Sequence, residues 1–381
     1  MRQQGSSGRI PQGWQVAALV AAALPVAAPA QDMPQYVPQA QVSGEIRDYG
    51  FGLGGVLAQW EAAFRAFQPH VTFKDTLPTS DAAFPGLVTY QADLGIDGGE
   101  PAITEALSFW ETRGYAASSV TVASGAYDVE GKSNGPVVFV ARDNPLNSLT
   151  VDQLDGIFGA ARNGTLDGFV WSPQGARGAD RDIRNWGQLG LRGAWAAKPI
   201  QTYGHGPSGT TRFFQWQVLG NTDKWNPNYR GYVETGSKQI AAIDRAGQLL
   251  GARHMLGEEL AHDRYGIGWS TMSQAKGIAG LKILAIAPRG GGAAVMPSQA
   301  TFADRSYPLV RNIYIYFDRQ PGTAMDPKLR EFLRFVLSAQ GQRLVGAAGY
   351  LPLPAAMVLR ERTRLDGGVA PPAPAPGKDR P

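Results

Sequence analysis

The sequence predicts a protein of the α/β class, built as two lobes with mainly parallel sheets. Short apolar runs typical of strands alternate with stretches whose apolar residues recur at helical spacing. The segment from Val42 to Asp366 is long enough for two lobes, and 43% of the chain is hydrophobic, enough for substantial cores. Ligands of such folds bind at the carboxyl ends of strands, so the turns that follow strands are the places to search for a site.

The first half of the chain supplies four clear elements. Val42 to Ile46 predicts a strand, and Val56 to Phe67 predicts a helix that Pro69 ends. Pro136 to Ala141 (PVVFVA) has the unbroken apolar character of a buried strand. Thr150 to Phe158 opens with Thr-Val-Asp-Gln, which predicts a capping box and a short helix.

The second half continues the alternation. Ile267 to Ser270 and Leu281 to Ile286 predict two strands around a turn, and Asn312 to Phe317 (NIYIYF) predicts another strand. Pro327 to Val345 predicts one amphipathic helix. Its apolar side consists of Leu329, Phe332, Leu333, Val336 and Leu337. We find no internal repeat at solenoid spacing.

The two ends of the chain have the composition of processing and tail segments. Arg2 and Arg9 precede an apolar stretch from Trp14 to Ala28, and Ala28-Pro29-Ala30 has the small-x-small form of a cleavage site. Residues 1–30 therefore predict a signal peptide for export to the periplasm. A retained anchor is the alternative, but the stretch is shorter than the about 20 residues that span a bilayer. Gly367 to Pro381 predicts a disordered Pro/Ala-rich tail.

Composition excludes several classes of function. The chain has no cysteine, which excludes disulfides, thiolate metal sites, a catalytic cysteine and a lipid-modified cysteine. Arg2 and Arg9 supply two of the four net positive charges, so the chain after cleavage carries +2. A net charge of +2 is too small for a nucleic-acid-binding protein that attracts its ligand through a positive electrostatic field.

The most informative segment is Ser208 to Phe214 (SGTTRFF), which has the layout of an anion-binding helix start. The first N–H groups of a helix lack intrahelical partners and lie at the positive end of its dipole. Ser208, Thr210 and Thr211 add hydroxyl donors, and Gly209 allows close backbone approach. The alternative is an ordinary serine N-cap before a core helix.

Three glycines resemble a dinucleotide motif. Gly50, Gly52 and Gly55 form a literal G-x-G-x-x-G after a strand, with Asp75 about twenty residues later. The export signal and the lack of a clean second strand ending at Asp75 argue against a dinucleotide. The turn still offers N–H donors to a small anion.

Other catalytic or metal-binding patterns are weak. His254, Glu258 and His262 share one face if they lie on one helix, as metal ligands do, although a solvated helix face has the same spacing. Ser273 to Lys276 matches Ser-x-x-Lys without its companion motifs. Ser208 sits in Gly-Pro-Ser-Gly-Thr and not in the Gly-x-Ser-x-Gly of a nucleophile elbow. We therefore expect no catalytic residue, no metal and no cofactor.

Several segments, in order, resemble the periplasmic phosphate-binding proteins that serve ABC transporters. Together they run from about Val42 to Leu353. They are Asp143–Phe158, Asn185–Ile200, Tyr203-Gly204 with Ser208–Phe214, Tyr307–Tyr316, Phe332–Leu337 and Gly349–Leu353. The resemblance implies a type II periplasmic binding protein fold, in which two α/β lobes joined by a two-strand hinge close on an oxyanion. It also implies lobe 1 over residues 42–135 and 307–366, and lobe 2 over residues 136–306.

The resemblance also implies the binding residues. Ser208, Gly209, Thr210 and Thr211 correspond to a phosphate contact, and Thr79 with Ser80 corresponds to a hydroxyl-bearing turn after the second strand. Such sites use a carboxylate that accepts a hydrogen bond from protonated phosphate and so disfavours sulfate. Asp97 is the candidate for that carboxylate and Asp93 the fallback, and either could equally be structural.

The sequence departs from the family pattern at three points. The first turn, Tyr49 to Gly55, has no Ser or Thr, so Phe51 and Gly52 would contribute N–H groups only. No Arg precedes Ser208 at the family's position, and Gly98-Gly99-Glu100 lacks the Arg of a Gly-Arg-Glu. His205 and Arg212 are the candidate replacements, with a solvent-facing loop side chain as the alternative for His205.

These observations predict an exported, monomeric solute-binding protein. It would take inorganic phosphate or a related oxyanion and deliver it to an ABC transporter permease, with no role for nucleic acid. Two other classes stay open. One is an exported enzyme acting on phosphate esters, and the other is a binding or adhesion module that has lost phosphate specificity.

Overall fold

The structure is a computed structural model that describes residues 33–234 and 251–367. The predicted signal peptide and the predicted tail beyond Gly367 lie outside the described residues. Within the described ranges, no helix combines the length and apolar character needed to cross a bilayer.

Strands and helices alternate through the described residues. The strands are β1 Gly44–Gly50, β2 Val71–Thr76, β3 Leu94–Asp97, β4 Ser118–Ser124, β5 Pro136–Ala141, β6 Ser148–Thr150, β7 Thr165–Asp167, β8 Val170–Ser172, β9 Gln201–His205, β10 Arg230–Tyr232, β11 Gly266–Thr271, β12 Leu281–Ile283, β13 Ala285–Ala287 and β14 Asn312–Phe317. The helices are α1 Val56–Arg65, α2 Ala83–Val88, α3 Ile103–Arg113, α4 Val151–Phe158, α5 Gly209–Val218, α6 Ala252–His254, α7 Met272–Ala275, α8 Gln299–Ala303, α9 Pro327–Val336, α10 Ala339–Ala347 and α11 Ala355–Asp366.

Two five-stranded sheets form the centres of two lobes. The strand order is β2-β1-β3-β14-β4 in lobe 1 and β10-β9-β11-β5-β12 in lobe 2. β1 runs parallel to β2 and β3, and β9 runs parallel to β10 and β11. β14 and β5 are each antiparallel to both of their neighbours. The sheets are therefore mixed rather than purely parallel: four strands of each sheet run in one direction, and β5 and β14, the first strands after the two lobe crossings, run against them.

The chain crosses between the lobes twice. It leaves the first sheet after β4 and enters the second at β5, and it returns through the segment before β14. The two crossings run side by side, since the Gly125 N–H donates to the Arg311 carbonyl at 2.8 Å. This confirms the predicted fold class of two α/β lobes joined by a two-strand hinge.

Each lobe has its own aromatic core. In lobe 1, Phe64 packs edge-on against Phe332, with ring centroids 5.3 Å apart. In lobe 2, Phe214 stacks on Trp269 with centroids 4.5 Å apart. Phe214 lies on α5, so the core of lobe 2 fixes the helix whose first turn carries Ser208.

Two predicted elements are divided in the structure, and one predicted capping box is confirmed. The predicted helix over Pro327 to Val345 is divided into α9 and α10, because the Ser338 hydroxyl accepts the Gly341 N–H and caps a new helix. The predicted strand Leu281 to Ile286 is divided between β12, which pairs with β5, and β13, which pairs with β6. The capping box at Thr150 and Gln153 is confirmed by hydrogen bonds of 3.1 and 2.8 Å.

A candidate anion site between the lobes

The first turn of α5 presents two backbone donors to the cleft. The Ser208 hydroxyl caps the helix by accepting the Thr211 N–H at 3.2 Å, and the Arg212 N–H donates to the Ser208 carbonyl. The N–H groups of Gly209 and Thr210 come before the first intrahelical bond, so the helix leaves them for a ligand. Ser208 is therefore both the N-cap of the alternative interpretation and part of an anion-binding geometry.

The hydroxyl of Thr210 links lobe 2 to the second lobe crossing through two side-chain contacts. Thr210 is almost fully buried, and its Oγ1 donates to Glu234 Oε1 at 2.7 Å. The same oxygen accepts a hydrogen bond from Arg311 Nη1 at 3.2 Å. Because a hydroxyl has one proton, the Thr210 hydroxyl in this arrangement has none left for an anion.

Glu234 places a carboxylate at the start of α5. Burial alone would raise its pKa, but His205, Ser208 and Thr210 stabilise the charged form and lower the pKa of Glu234 to about 2. A negative charge therefore occupies part of the donor set that a bound oxyanion would use. Sequence reasoning missed Glu234, because no motif links it to Ser208.

His205 connects Glu234 to the sheet. It ends β9 and is fully buried, with Nε2 2.8 Å from the Ser270 hydroxyl and Nδ1 3.7 Å from Glu234. The alternative of a solvent-facing loop side chain for His205 is therefore wrong. The order Ser270–His205–Glu234 is that of a hydrolytic triad, but Ser270 is fully buried inside β11, where no substrate reaches it.

Lobe 1 contributes Asp97, at the carboxyl end of β3. Its Oδ1 accepts the Gly99 N–H at 3.1 Å, whereas its buried Oδ2 has no hydrogen-bond partner among the described residues. Burial, with a smaller effect of Glu105, raises the pKa of Asp97 to about 7 against the opposing charges of Arg212 and Arg311. An orphaned acceptor at this position needs a donor, and a protonated oxyanion would supply one.

Ser80 lies beside Asp97, while Asp93 lies elsewhere. The Ser80 hydroxyl accepts the Gly98 N–H at 3.2 Å, and Ser80 also stabilises the charged form of Asp97. Asp93 precedes β3 and therefore lies at the opposite end of that strand from Asp97. It pairs with Arg47 at 2.7 Å, and although burial opposes the change, Arg47 lowers the pKa of Asp93. Of the two candidate carboxylates, only Asp97 reaches the cleft.

Arg311 is the cation that sequence reasoning missed. It lies in the second lobe crossing and is only 4% exposed. A Cβ added at Gly99 or at Gly209 would lie 2.7 or 2.8 Å from Arg311 Nη2, so the guanidinium fits between two glycines of opposite lobes. Its Nε is buried without a hydrogen-bond partner among the described residues. The sequence contained one signal that could have identified it, an arginine directly before the apolar strand of the Tyr307–Tyr316 segment.

Arg212 is a second cation at the cleft. Its Nη1 lies 3.0 Å from Asp81 Oδ1 of lobe 1, and its charge also acts on Asp97 and Glu105. The site therefore has two arginines, although neither lies at a position where the family pattern has one.

The remaining predicted donors are less clearly placed. Thr79 is exposed and precedes the turn at Ser80. The Phe51 N–H already donates to the Ile96 carbonyl at 3.0 Å. Gly52 follows at the start of a short 3-10 turn before α1. The assignment of Phe51, Gly52, Thr79 and Thr211 to ligand binding remains a prediction.

The two weaker motifs also have a structural outcome. The second strand that the sequence-based assignment lacked does exist as β2, and it contains Asp75. Polar residues alternate along β2 because it lies at the edge of the sheet, and this alternation concealed the strand. His254 ends α6, and a π-helix over Met255–Leu260 follows it. The wider π-turn breaks the α-helical spacing that would place His254, Glu258 and His262 on one face.

An open groove of about 510 Å³ lies next to Arg212, with walls from both lobes. Trp110 of α3, in lobe 1, also contacts Phe169 at the tip of the β7–β8 hairpin of lobe 2, with ring centroids 5.5 Å apart. The two lobes are thus in contact at the Trp110–Phe169 and Arg212–Asp81 pairs, and Thr210 of lobe 2 contacts Arg311 of the second crossing.

Comparisons with known proteins agree with this geometry. Residues 60–340 match the family model described as a PBP superfamily domain. The phosphate-binding protein PstS of Pseudomonas aeruginosa is 31% identical over 342 residues, which cover 89% of this chain and 93% of that protein. The chain belongs to the PstS family.

Two further proteins are similar to the chain. Protein SphX of Synechococcus elongatus is 30% identical over 221 residues, covering 57% of this chain and 53% of SphX. The crystal structure of PstS from Borrelia burgdorferi has a TM-score of 0.50 at 16% identity and covers 82% of this chain and 99% of that one. The resemblance found in the sequence is therefore confirmed.

Proposed function

We propose that this protein is an exported solute-binding protein that captures inorganic phosphate and delivers it to an ABC transporter permease. The observation that carries the proposal is the convergence of Asp97, Arg311 and the first turn of α5 on one cleft. The membership in the PstS family supports phosphate as the ligand. Export rests on the composition of residues 1–30.

Each lobe supplies a different kind of contact in this proposal. From lobe 2, the N–H groups of Gly209 and Thr210 donate to phosphate oxygens. From lobe 1, Asp97 Oδ2 accepts a hydrogen bond from a phosphate hydroxyl. Arg311 lies between the two and adds charge. Contacts from both sides favour the closed arrangement of the lobes, which the permease would recognise.

The acceptor role of Asp97 gives selectivity. Phosphate near neutral pH carries at least one proton, whereas sulfate carries none. Where Asp97 is ionised, above its pKa of about 7, sulfate would bring an acceptor against the Asp97 acceptor without a proton between them, a loss of the order of 1–3 kcal/mol or more for a buried charged group. We therefore expect phosphate to be preferred over sulfate by about five- to 150-fold or more.

No catalytic step belongs to this proposal. The enzyme alternative finds its best geometry in Ser270, His205 and Glu234, but Ser270 is fully buried and Glu234 already bonds Thr210. The alternative of a module without ligand specificity does not explain the buried Asp97 and Arg311 at the cleft.

Calorimetric titration of the purified protein with phosphate, sulfate and a phosphate monoester tests the proposal. We expect one phosphate to bind per chain and sulfate to give little heat. A monoester that binds as tightly as phosphate would point to the neighbouring groove as part of the site. Absence of both heat and thermal stabilisation with phosphate would overturn the proposed function.

A further inference from the structure

Three carboxylates of lobe 1 converge away from the anion site. Asp48 lies on β1 and Asp75 on β2, and the parallel register pairs these two residues directly, so their side chains share one face of the sheet. Glu61, on α1, meets them on that face. One oxygen from each carboxylate lies within 4.8 Å of the others.

The buried members of this group lack hydrogen-bond donors, and the nearby Arg65 acts on Glu61 and Asp75 through its charge without forming an ion pair with either among the described residues. Asp48 is 0% exposed, and neither of its carboxylate oxygens has a hydrogen-bond partner among the described residues. Oε1 of the buried Glu61 is also without one. By contrast, the equally buried Asp155 of lobe 2 is met by Arg162 at 2.7 Å and by Arg177 at 3.3 Å. Buried carboxylates without donors are costly, so the pocket needs a bound cation or protons.

The chemistry of the three side chains defines the class of ion. All the ligand atoms are carboxylate oxygens, which hard cations prefer, whereas Zn²⁺ favours nitrogen and sulfur. Ca²⁺ accepts irregular oxygen coordination and completes its shell with water. Asp75 is exposed and gives both an entry path and room for that water.

We propose that Asp48, Glu61 and Asp75 form a binding site for a hard divalent cation, with Ca²⁺ the best match. The bound ion would link β1, β2 and α1 of lobe 1. The site is separate from the anion site, and the proposal stands whether or not the protein binds phosphate.

The test is titration of the EDTA-treated full-length protein with Ca²⁺, Mg²⁺ and Zn²⁺, followed by calorimetry and thermal unfolding. We expect one Ca²⁺ per chain and a Tm rise of about 3–5 °C when Ca²⁺ exceeds its Kd a hundredfold. Mg²⁺ should bind more weakly and Zn²⁺ weakest. No heat and no Tm rise with Ca²⁺ or Mg²⁺ up to about 10 mM, beyond the usual range of weak extracellular sites, would overturn the proposal.

Variants separate a cation site from a protonated pocket. Asp75→Asn changes an exposed residue, should fold normally, and should weaken Ca²⁺ binding at least about tenfold. Asp48→Asn should abolish the Ca²⁺ response and, in EDTA, unfold at a Tm no lower than that of the wild type, because one uncompensated charge is gone. The control is Asp143→Asn, a surface residue paired with Arg264, which should keep the full response. A Ca²⁺ response that survives in both cluster variants would contradict the site.

Discussion

Asp97 and Arg311 show how single residues give the cleft its chemistry. Asp97 brings a buried acceptor without a partner, and Arg311 brings a buried charge held between two glycines. Glu234 opposes the binding of an anion because it shares the first turn of α5. The balance of these charges decides which anion, in which protonation state, the cleft accepts.

Asp97→Asn tests the acceptor role. An amide can donate a hydrogen bond, so the variant should lose phosphate affinity by about tenfold or more and gain sulfate affinity. Calorimetry with both anions gives the ratio. Equal selectivity in the variant and the wild type would show that Asp97 only supports the backbone at Gly99.

The same variant has a consequence for stability without ligand. The pKa of Asp97 is about 7 in the folded protein and near 3.8 when unfolded, so the folded state binds the extra proton between these values. The resulting stabilisation is complete below about pH 4 and is lost as pH rises through about 7. Thermal unfolding from pH 5 to pH 8 should therefore show a smaller decline in Tm for Asp97→Asn than for the wild type.

Thr210→Val tests the link between the lobes. It removes the hydrogen bonds to Glu234 and Arg311 and leaves both side chains without that partner, at a cost of about 1–3 kcal/mol. We expect weaker phosphate binding by at least about tenfold and a lower Tm. Thr210→Ser keeps the hydroxyl and should behave like the wild type. A valine variant with unchanged affinity would remove Thr210 from the site.

Glu234→Gln tests the competing charge. The amide keeps the size of the side chain but removes the negative charge from the start of α5, so anions should bind more tightly. One unit charge at moderate distance is worth roughly 1–2 kcal/mol, or about tenfold in Kd. Weaker binding would instead show that the carboxylate mainly orients Thr210.

Among the helices and strands, α5 can take part in the site because its first turn fits sterically against the lobe crossing. The core side of α5 is fixed by Phe214 on Trp269, while Gly209 leaves space for the Arg311 guanidinium. Neither element forms the site alone, because the donors come from lobe 2 and the arginine from the connection between lobes.

Gly209→Ala tests this match. Alanine suits the first helical turn, so the Tm should not fall, but its Cβ would lie 2.8 Å from Arg311 Nη2 and the flexible guanidinium must move. Phosphate affinity should fall by about tenfold. Gly257→Ala is the control, because its added Cβ meets Ile278 at an ordinary 3.8 Å. Unchanged affinity in Gly209→Ala would mean that Arg311 does not need its present position.

Local sequence patterns predicted the positions of helices and strands better than they predicted the directions in which the strands pair. The capping box at Thr150 and the strand Asn312–Phe317 follow from neighbouring residues and are confirmed. The antiparallel pairing of β5 and β14 depends on how the chain crosses between lobes, which no local pattern contains. Ser338 does carry an N-cap signal, but the continuous apolar spacing of the predicted helix concealed it.

The same distinction applies to the site. The Ser208 turn and Asp97 follow strands and match a family pattern, so the sequence predicts them as site residues, and their role in binding remains a prediction. Arg311 lies 101 residues from Thr210 and makes its contact only through the folded topology. The buried position of His205 likewise depends on β9 lying inside the second sheet.

For the whole molecule, the contact between Trp110 and Phe169 predicts how firmly the lobes stay closed. Trp110→Ala removes an aromatic pair worth about 0.5–1.5 kcal/mol. Stopped-flow binding should show phosphate leaving about two- to tenfold faster, with little change in the association rate. Leu359→Ala, on α11, should leave both rates unchanged. An unaltered dissociation rate in Trp110→Ala would show that the hairpin contact does not hold the closed form.

The position of this contact also offers a way to observe the protein at work. The chain contains no cysteine, so Trp110→Cys combined with Phe169→Cys creates the only two thiols in the molecule. Spin labels attached there would report the separation of the lobes in solution, and a fluorophore pair would report it for single molecules. A short bifunctional reagent across the same positions would trap the closed protein, which could then be offered to a transporter as a permanently loaded or permanently empty carrier.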